Sequence, residues 1–366
     1  MKILEIIPQL GSGGAERFTV DLCNELVKSN DVTLVVFHSL EKHGFYKNEL
    51  SSGIKLISLN KRMGVDITIP FKLLHIIIDQ CPDIVHTHIG GIDYAFLSSF
   101  FYRKPKYFHT IHSDAKKEST GGIKRIIRKI SFKTRLFTPI TISPSSEKSF
   151  QDFYGFKGHM IYNGRRVPKV IEVDDAVKEE FIEYKKRGRV LTLLARFVPV
   201  KRHLLIAKIA KRLYDNGYNF TLLMIGNQTF ESIAEEVKRI APPNVYLLGQ
   251  KQNPLAYLSM SDAYCLCSEY EGMPISLIEA MACGAVPICT PVGGITDVVR
   301  DGDNGLLSED LTEETYMKAL VKFLQMSDEE LNCLKNRTIK SSEPFKMEEC
   351  ADKYIKLFKI NTGIVC

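Results

Sequence analysis

The sequence predicts an α/β protein made of two Rossmann-like domains, each with a doubly wound parallel sheet. The first observation is size, because 366 residues exceed an ordinary single domain. The second is alternation: short apolar runs are followed by segments with apolar residues at helical spacing, as at Phe18, Leu22 and Leu26. The third is that this alternation occurs twice, on either side of a charged stretch at residues 165–187. Strands that alternate with helices form parallel βαβ units, so each series predicts one sheet.

The predicted strands are apolar runs of four to six residues bounded by polar turns. In the first domain they span residues 2–7, 32–37, 55–59, 83–88, 107–111 and 140–143. In the second they span residues 190–194, 220–225, 245–248, 263–266 and 286–289. Helical patterns cover residues 67–80 and 94–102, and a last one lies near 347–358. We place the domains at residues 1–165 and 166–344, with ligands expected at the carboxyl ends of the strands.

Composition excludes several classes of protein. The chain is 45% hydrophobic and 25% charged, which is typical of a soluble globular protein. No run of about 18 apolar residues predicts a membrane span, and the N-terminus reads as a strand, not as a secretory signal. The nine cysteines include no C-x-x-C pair, and Cys265 and Cys267 alternate along an apolar run. This pattern indicates core thiols in a reducing cytoplasm.

Positive charge is concentrated in one window of the first domain. Residues 103–135 hold eleven Lys or Arg against two acids, a net +9, whereas the whole chain carries +6. Within it, residues 123–136 predict an amphipathic helix with an isoleucine face formed by Ile123, Ile126, Ile127 and Ile130. Its other face carries Lys124, Arg125, Arg128, Lys129 and Lys133. This favours an anionic membrane surface or a lipid-diphosphate acceptor, and the alternative is a buried helix face with solvated basic residues.

A glycine-rich turn follows the first strand. Gly11-Ser12-Gly13-Gly14 precedes a helix, where glycine permits positive φ and lets backbone N–H groups approach an anion. The spacing is not G-x-G-x-x-G, and no acid about 20 residues later is placed to hold a ribose, which argues against a dinucleotide site. A tight turn under a packed helix and a role in admitting a sugar or phosphate both remain open.

Two further segments follow strands of the second domain. Arg196 and Lys201 come after residues 190–194, where two cations would neutralise a diphosphate. Residues 268–284 follow the strand at 263–266, with Pro274 placed for a first helical turn and Gly284 for a stop. Glu271 lies at the mouth of this helix, where its dipole favours a carboxylate. Glu279 lies one turn further among small apolar residues, which indicates a partner such as a ribose diol.

These residues together resemble one family over nearly the whole chain. The E-x7-E of Glu271 and Glu279, the upstream Arg196 and Lys201 and the early G-x-G-G loop resemble the retaining family 4 glycosyltransferases (glycosyltransferase group 1). Their GT-B fold has two Rossmann-like domains facing each other across a cleft. Residues 82–88, 109–112, 163–164 and 301–307 also fit the resemblance.

The resemblance implies a role for each matching position. Arg196 and Lys201 would hold the donor diphosphate, Glu279 the ribose, and Gly249 and Gln250 would lie near the base. Glu271 with the backbone at Gly272, Met273, Pro274 and Ile275 would contact the sugar or the phosphates, Gly13 and Gly14 would border the donor, and His112 would approach it from the first domain. The final helix, at about 345–366, would pack back on the first domain.

Two departures from the family pattern stand out. Arg165 and Arg166 replace the aliphatic residue and the acid that commonly follow Asn163-Gly164, which affects the expected hinge and acceptor phosphate contacts. Ala195 replaces the glycine before the donor arginine and is small enough to be harmless.

Some motifs have a plainer interpretation than the functional one. Asp301-Gly302-Asp303 looks like a metal-binding D-x-D but is better explained as a tight turn. His86 and His88 alternate on a strand like metal ligands, yet no acidic or cysteine cluster accompanies them in the sequence. We favour a structural role for His88 over an acceptor contact, and a functional role for His112, because it precedes Ser113-Asp114 at a strand end.

The resulting expectation is an enzyme that moves a hexosyl or N-acetylhexosaminyl group from a nucleotide-sugar, UDP-sugar first and GDP-sugar second, without a metal. The expected acceptor is a glycan or polyprenyl-diphosphate-linked glycan in bacterial surface-polysaccharide synthesis. The enzyme is expected in the cytoplasm, peripheral on the inner face of the membrane, with no cofactor and no nucleic-acid partner. The alternatives are a GT-B-fold sugar-nucleotide epimerase and a catalytically silent nucleotide-sugar-binding subunit.

Overall fold

The computed structural model of the chain describes residues 1–61, 64, 66–119 and 121–363. The chain folds into two compact units, Met1–Arg166 with Phe345–Cys366, and Val167–Pro344. Each unit contains one parallel sheet with helices on its faces, so the predicted α/β class is confirmed. The last residues of the predicted C-terminal element, 364–366, lie outside the described residues.

The first unit is built on a parallel sheet of seven strands in its described part. They are β1 (Lys2–Ile7), β2 (Asp31–Val36), β3 (Lys55–Ser58), β4 (Ile84–His88), β5 (Lys106–Ile111), β6 (Thr138–Thr141) and β7 (His159–Met160), in the order β3-β2-β1-β4-β5-β6-β7. The order reverses between β1 and β4, which are paired with Glu5 beside His86. The sheet therefore has its topological switch point at these two strands.

Helices cover the first sheet and bury its core. They are α1 (Gly14–Leu26), α2 (Leu40–His43), α3 (Ile69–Gln80), α4 (Gly91–Phe101), α5 (Ala115–Glu118), α6 (Gly122–Lys133) and α7 (Pro144–Tyr154), with a 3-10 helix at Lys47–Glu49 and a C-terminal helix at Met347–Thr362. α1 buries Phe18, Leu22 and Leu26, the spacing seen in the sequence. The C-terminal helix packs on α1 and β5, which places it in the first unit.

The second unit has a parallel sheet of six strands among its described residues. They are β8 (Arg189–Leu194), β9 (Phe220–Ile225), β10 (Val245–Gly249), β11 (Ala263–Leu266), β12 (Val286–Cys289) and β13 (Leu306–Leu307), in the order β10-β9-β8-β11-β12-β13. The helices are α8 (Asp175–Lys185), α9 (His203–Asp215), α10 (Glu231–Ile240), α11 (Pro254–Met260), α12 (Ile275–Ala282), α13 (Glu313–Leu324) and α14 (Asp328–Ser342), with 3-10 helices at Pro199–Lys201, Gly293–Ile295 and Glu343–Phe345. The order reverses between β8 and β11.

Both faces of the second sheet are covered, as the continuous apolar strands predict. Along β8, Leu191 and Leu193 join one core cluster, whereas Val190 joins a second cluster under α8. Cys265 and Cys267 are fully buried in the first of these cores, which confirms the prediction of core thiols.

The strand predictions hold to within one or two residues at their ends, and β1, β9, β11 and β12 match their predicted bounds. β7 and β13 are absent from the predicted strands. Each has only two residues, which is too short to show an alternating pattern. The helix predicted at 94–102 begins earlier, at Gly91.

Candidate functional site

The loops after β8 and β11 lie at the carboxyl edge of the second sheet, on either side of the point where its strand order reverses. β11 is in register with β8 through Ala263 beside Leu191, so Leu194 and Leu266 end the two strands at one level. Ligands of such sheets bind at this position. The structure thus brings the loop with Arg196 and Lys201 and the start of the 268–284 segment to the same edge.

Lys201 and Glu271 form an ion pair between these two loops. Lys201 ends the 3-10 helix Pro199–Lys201, and its side chain is 18% exposed, against 9% for that of Glu271. The Glu269 amide donates to the Val200 carbonyl at 2.9 Å, so the backbones are joined as well. Opposite charges are therefore held together in a partly desolvated place at the sheet edge.

The loop that carries Glu271 rests on a pair of glycines that no motif in the sequence singled out. A Cβ on Gly293 would lie 1.9 Å from the Glu271 carbonyl oxygen, and one on Gly294 would lie 1.9 Å from that of Gly272. The Gly294 amide donates to the Gly272 carbonyl at 2.7 Å, and Gly293 has φ +50°. Only glycine allows the two backbones to approach this closely, so Gly293 and Gly294 determine where the Glu271 loop lies.

The helix α12 begins directly after this loop, as its sequence predicts. Pro274 is the N-cap, and Gly284 follows the C-cap with φ +78°. Inside the unit, the Tyr264 hydroxyl lies 2.7 Å from Ser276 Oγ and anchors the first turn. Glu279 is 5% exposed on a helix whose neighbouring side chains are apolar. A buried carboxylate in the second turn fits the predicted polar partner.

Further polar groups lie along the same edge. Arg196 follows β8 and is exposed, while Gly249 ends β10 and Gln250 follows it. Asn227, after β9, donates from Nδ2 to Gln250 Oε1 at 2.9 Å, a contact that sequence reasoning missed. The signal was available, because Gly226-Asn227 follows an apolar strand as Ala195-Arg196 does. Glycine is required at position 226, since the Cβ of any other residue would lie 2.0 Å from the Ala195 carbonyl oxygen.

The glycine turn after β1 in the first unit differs from its prediction in backbone geometry. Gly13 is the N-cap of α1 with φ −97°, and none of Gly11, Gly13 and Gly14 has a positive φ. A Cβ on Gly13 would lie 2.2 Å from a carboxylate oxygen of Glu16. Glycine at position 13 leaves room for this acidic side chain, and the turn does not use a left-handed conformation. The donor role of Gly13 and Gly14 stays a prediction.

His86 and His88 are accompanied by an acid, contrary to the sequence interpretation. Glu5 on β1 is fully buried beside β4, with its Oε2 3.0 Å from His86 Nδ1 and 2.9 Å from His88 Nε2. Burial alone would raise the pKa of Glu5, but the two histidines hold it lowered, at about 2. The three residues place ligand-type atoms within 4.8 Å of one another. The clue was the single acid within the apolar run of β1.

His112, predicted as functional, joins this cluster at the end of β5. Its Nε2 lies 2.9 Å from His88 Nδ1, and its side chain is partly exposed. The ring of Phe18 packs edge-on against it, with centroids 5.4 Å apart. Burial, followed by the nearby His88 and His86, holds the pKa of His112 well below its usual value. His88 and His112 are thus coupled.

The predicted basic helix is α6, with one correction. Lys124, Arg125, Lys129 and Lys133 are exposed, and so are Ile123, Ile126 and Ile130. Arg128, in contrast, is only 4% exposed and bonds through Nε to Asp93 Oδ1 at 2.9 Å. It is therefore a structural residue that ties α6 to α4, and it does not face an outside partner.

Two other predicted features have structural explanations. The Gly302 amide donates to the Gly305 carbonyl at 2.8 Å, Gly302 has φ +74°, and Asp301 Oδ1 accepts from the Leu307 amide at 2.9 Å, which confirms a tight turn. Arg165, the departure after Gly164, is buried and donates to Asp21 Oδ2 at 2.7 Å. That arginine stabilises the first unit internally.

Two family models match successive parts of this chain. The family described as Glycosyltransferase Family 4 matches residues 12–169, and the family described as Glycosyl transferases group 1 matches residues 175–340. The capsular polysaccharide biosynthesis glycosyltransferase CapH of Staphylococcus aureus is 24% identical over 342 residues, covering 88% of this chain and 91% of that protein. An α-1,4-N-acetyl-D-galactosaminyltransferase of Campylobacter jejuni, named for a diphosphoundecaprenol-linked glycan, is 25% identical over 371 residues and covers 98% of both.

A solved structure shows the same fold. Anabaena HepE in complex with UDP-glucose has a TM-score of 0.84 at 16% identity and covers 98% of this chain and 100% of that chain. The two family models, matching successive halves, account for most of the sequence. The chain therefore belongs to the GT-B glycosyltransferases of family 4 and group 1.

Proposed function

We propose that this glycosyltransferase moves a sugar from a UDP-sugar, with retention of configuration, to a lipid-linked glycan during bacterial surface-polysaccharide synthesis. The observation that carries the proposal is the arrangement after β8 and β11. There, Arg196, Lys201, Glu271 and Glu279 occupy the two loops and the helix at the reversal point of the second sheet. A diphosphate needs cations and a ribose needs a carboxylate, and this edge offers both.

Each residue has a distinct part in this proposal. Arg196 and Lys201 neutralise the charge that develops on the departing diphosphate, which is electrostatic stabilisation by preorganised groups. Glu279 accepts hydrogen bonds from the ribose hydroxyls, and Glu271 orients the sugar. The backbone N–H groups of Gly272, Met273 and Ile275, just before and at the first residue of α12, face the phosphates or the sugar. The base lies near Gly249 and Gln250, with Asn227 holding the Gln250 amide.

The donor and acceptor are inferred from the proteins that this chain resembles. Anabaena HepE binds UDP-glucose, which favours a UDP-sugar over a GDP-sugar. The Campylobacter relative is named for an undecaprenol-linked substrate and the Staphylococcus relative for capsule synthesis. Within the first unit, His112 is assigned to contact with the sugar, whereas His88 is fully buried and supports His112. The two cations of the donor site supply positive charge, so we expect transfer to persist in EDTA.

Donor binding tests the site directly. A panel of UDP- and GDP-sugars is screened by thermal stabilisation, since a ligand of the folded state raises the apparent Tm. The best donor is then titrated calorimetrically into Arg196→Ala and Glu279→Ala, with exposed Lys208→Ala on α9 as control. We expect each site variant to weaken binding about tenfold or more, because a charged hydrogen bond contributes about 1.5–3 kcal/mol. Unchanged affinity in both variants would place the donor elsewhere.

Turnover of that donor separates the alternatives. Release of free sugar without an acceptor is expected of a transferase and not of a silent subunit. Interconversion of the donor into another UDP-sugar would instead support an epimerase. The anomeric configuration of the product, read by NMR, tests retention.

We also propose that the exposed face of α6 rests on an anionic membrane. It presents Ile123, Ile126 and Ile130, which are 77%, 59% and 42% exposed, beside exposed basic residues. The adjoining α4 adds Phe100 and Phe101, which are 54% and 67% exposed. No described helix is long and apolar enough to cross a membrane. An interfacial contact fits this combination of apolar and basic side chains.

Vesicle sedimentation tests the membrane contact. Each basic residue near an anionic surface contributes about 1 kcal/mol, so changing Lys124, Arg125, Lys129 and Lys133 together to Gln should abolish binding to phosphatidylglycerol vesicles. The matched control changes Lys208, Lys211, Lys238 and Arg239, which are exposed in the second unit, to Gln. Equal binding of both quadruple variants would refute the contact.

A further inference from the structure

The first unit contains a continuous chain of hydrogen bonds that begins at a buried carboxylate and ends at a partly exposed histidine. Glu5, His86 and His88 are fully buried, and His112 completes the chain at the end of β5. The chain branches at Glu5, one branch passing through His86 and the other through His88. The negative charge on Glu5 determines which atom donates in each bond from Glu5 through His88 to His112.

Glu5 sets the direction of the first two bonds. Its pKa is lowered to about 2, so it is ionised at neutral pH and can only accept. His88 must therefore donate from Nε2 to Oε2, at 2.9 Å, and His86 must donate from Nδ1 to Oε1, at 3.2 Å. The opposite directions would leave a carboxylate facing a bare nitrogen lone pair inside the protein, which is costly.

The branch through His88 passes this direction on to His112. Burial lowers the pKa of His88 to about 4, so the ring is neutral and carries a single proton, on Nε2. Its Nδ1 is then an acceptor, and it lies 2.9 Å from His112 Nε2. His112 must donate from Nε2, and because it is neutral as well, its Nδ1 is left as a lone pair.

The branch through His86 ends within the same unit. His86 Nε2 lies 2.8 Å from the Thr110 hydroxyl. Thr110 Oγ1 lies 2.9 Å from the hydroxyl of Tyr354, on the C-terminal helix. The residues of this branch are all fully buried, so the branch has no exposed end. Only the other branch carries the influence of Glu5 to a partly exposed ring.

We propose that Glu5 is a positioning residue that fixes the His112 proton on Nε2, so that His112 presents Nδ1 as an acceptor to a hydroxyl of the sugar substrate. The substrate part of this inference rests on the proposed function. A ring that only accepts at that position selects a substrate hydroxyl, which can donate, and disfavours a phosphate or a ring oxygen, which cannot. Phe18 packs edge-on against both His88 and His112, with centroids 6.1 and 5.4 Å away, and limits rotation of the two rings.

The same three buried residues have the side chains of a metal site, and the bonds decide between the two interpretations. A metal bound to His88 Nε2 and His86 Nδ1 would need both atoms deprotonated. In the structure His88 Nε2 bonds to Glu5 Oε2 at 2.9 Å and His86 Nδ1 bonds to Glu5 Oε1 at 3.2 Å. Both bonds require protons there, which favours the hydrogen-bonded chain.

Long-range ¹H–¹⁵N NMR of protein labelled at histidine tests the proton positions without any turnover. In the wild type we expect His112, assigned with His112→Gln, to be protonated on Nε2 and bare on Nδ1. In Glu5→Gln the neutral amide no longer fixes one direction, so His88 and His112 should show mixed or reversed tautomers. The control is Glu25→Gln, a buried glutamate of α1 that pairs with Lys28 and should leave the tautomers unchanged.

Three results would overturn the proposal: a proton on His112 Nδ1 in the wild type, an unchanged tautomer in Glu5→Gln, or a stoichiometric metal in dialysed protein that Glu5→Gln loses. These readouts do not depend on transfer, so they decide the matter even if the proposed reaction is not found.

Kinetics then test the link to the substrate. Glu5→Gln and His112→Ala are each expected to lower kcat/KM about tenfold, the size of one hydrogen bond. The double variant should be no worse than His112→Ala alone, since residues that act as a unit are non-additive. Additive losses would mean that Glu5 acts only through general structure and would refute the positioning role.

Discussion

Near their switch points, the two sheets differ in how far their charged side chains are buried. In the first unit, Glu5 is fully buried and its bonds go to histidines of the same unit. In the second unit, Arg196 is exposed and the Lys201–Glu271 pair keeps 18% and 9% exposure at the sheet edge. A buried charge whose hydrogen bonds are all made within the protein holds its neighbours in place. Charges at the sheet edge are partly exposed, so they can exchange their protein partners for a solute. The same α/β architecture therefore offers a rigid polar interior on one sheet and a binding edge on the other.

Arg128 should show the largest effect, and on stability. Arg128→Ala would leave Asp93, which is 7% exposed, without its partner, and breaking a buried pair costs about 3–5 kcal/mol. Urea unfolding should report this loss. The neighbouring Lys129→Ala, at an exposed position of the same helix, should change the free energy of unfolding by no more than about 0.5 kcal/mol. Similar losses in the two variants would remove the contrast between interior and surface charge on α6.

Lys201 should show the reverse, a large effect on activity with a small one on stability. Lys201→Ala is expected to lower kcat about 10²–10³-fold, the range for losing one group that stabilises transition-state charge. The loss of stability should be smaller than in Arg128→Ala, because Lys201 is 18% exposed at the sheet edge and its removal lets water reach Glu271. Initial rates beside Lys208→Ala provide the comparison. A variant that unfolds but turns over normally once folded would assign Lys201 to structure.

His203 should give the second unit a pH-dependent stability of defined sign. It is stacked on Phe197 with centroids 4.0 Å apart, and burial lowers its pKa to about 4. Unfolded histidine takes up a proton near pH 6.5, so folding loses stability as pH falls from about 6.5 to 4. The loss approaches roughly 3 kcal/mol at the lower end, since a tenfold change in protonation corresponds to about 1.4 kcal/mol.

Replacing that ring by Phe keeps an aromatic stack and removes the titration. His203→Phe should therefore flatten the decline of unfolding free energy between pH 6.5 and 4, without abolishing it, because His88 in the first unit contributes with the same sign. Denaturant melts at four or five pH values suffice. An identical pH slope in variant and wild type would show that His203 is not held neutral.

Tyr264 should give the smallest effect. Tyr264→Phe removes the hydroxyl 2.7 Å from Ser276 Oγ, at a cost of about 1 kcal/mol. Because this bond anchors the first turn of α12, KM for the donor should rise a few-fold while kcat changes little. Steady-state kinetics check it, and a KM equal to the wild type would show that α12 is anchored by packing alone.

Features that depend on residues close together in the sequence could be predicted from it. β1, β9, β11 and β12 were predictable because a buried strand is one uninterrupted apolar run. The position of Arg196, Lys201, Glu271 and Glu279 at one edge of the sheet was predictable, because loops after neighbouring parallel strands meet there. Their contacts with a donor stay a prediction.

The missed features depend on contacts between distant segments. Gly293 and Gly294 matter only through the backbone of Glu271 and Gly272, some twenty positions earlier. Glu5 and His86 are 81 positions apart, and only strand pairing brings them together. Arg128 was wrongly given an outward role, since helical periodicity shows which residues share a face but not what a neighbouring helix offers to one of them.

The glycine pair at 293–294 has a consequence for altering this enzyme. A mutant library at Glu271, Gly272 or Met273 would aim to change the accepted sugar. The position of this loop depends on Gly293 and Gly294, whose lack of a side chain lets the loop backbone lie against them. Any β-carbon introduced at either glycine would push that loop outward and change every specificity obtained at 271–273 at once. Selection experiments should therefore leave Gly293 and Gly294 unchanged while the sugar-contacting positions are varied.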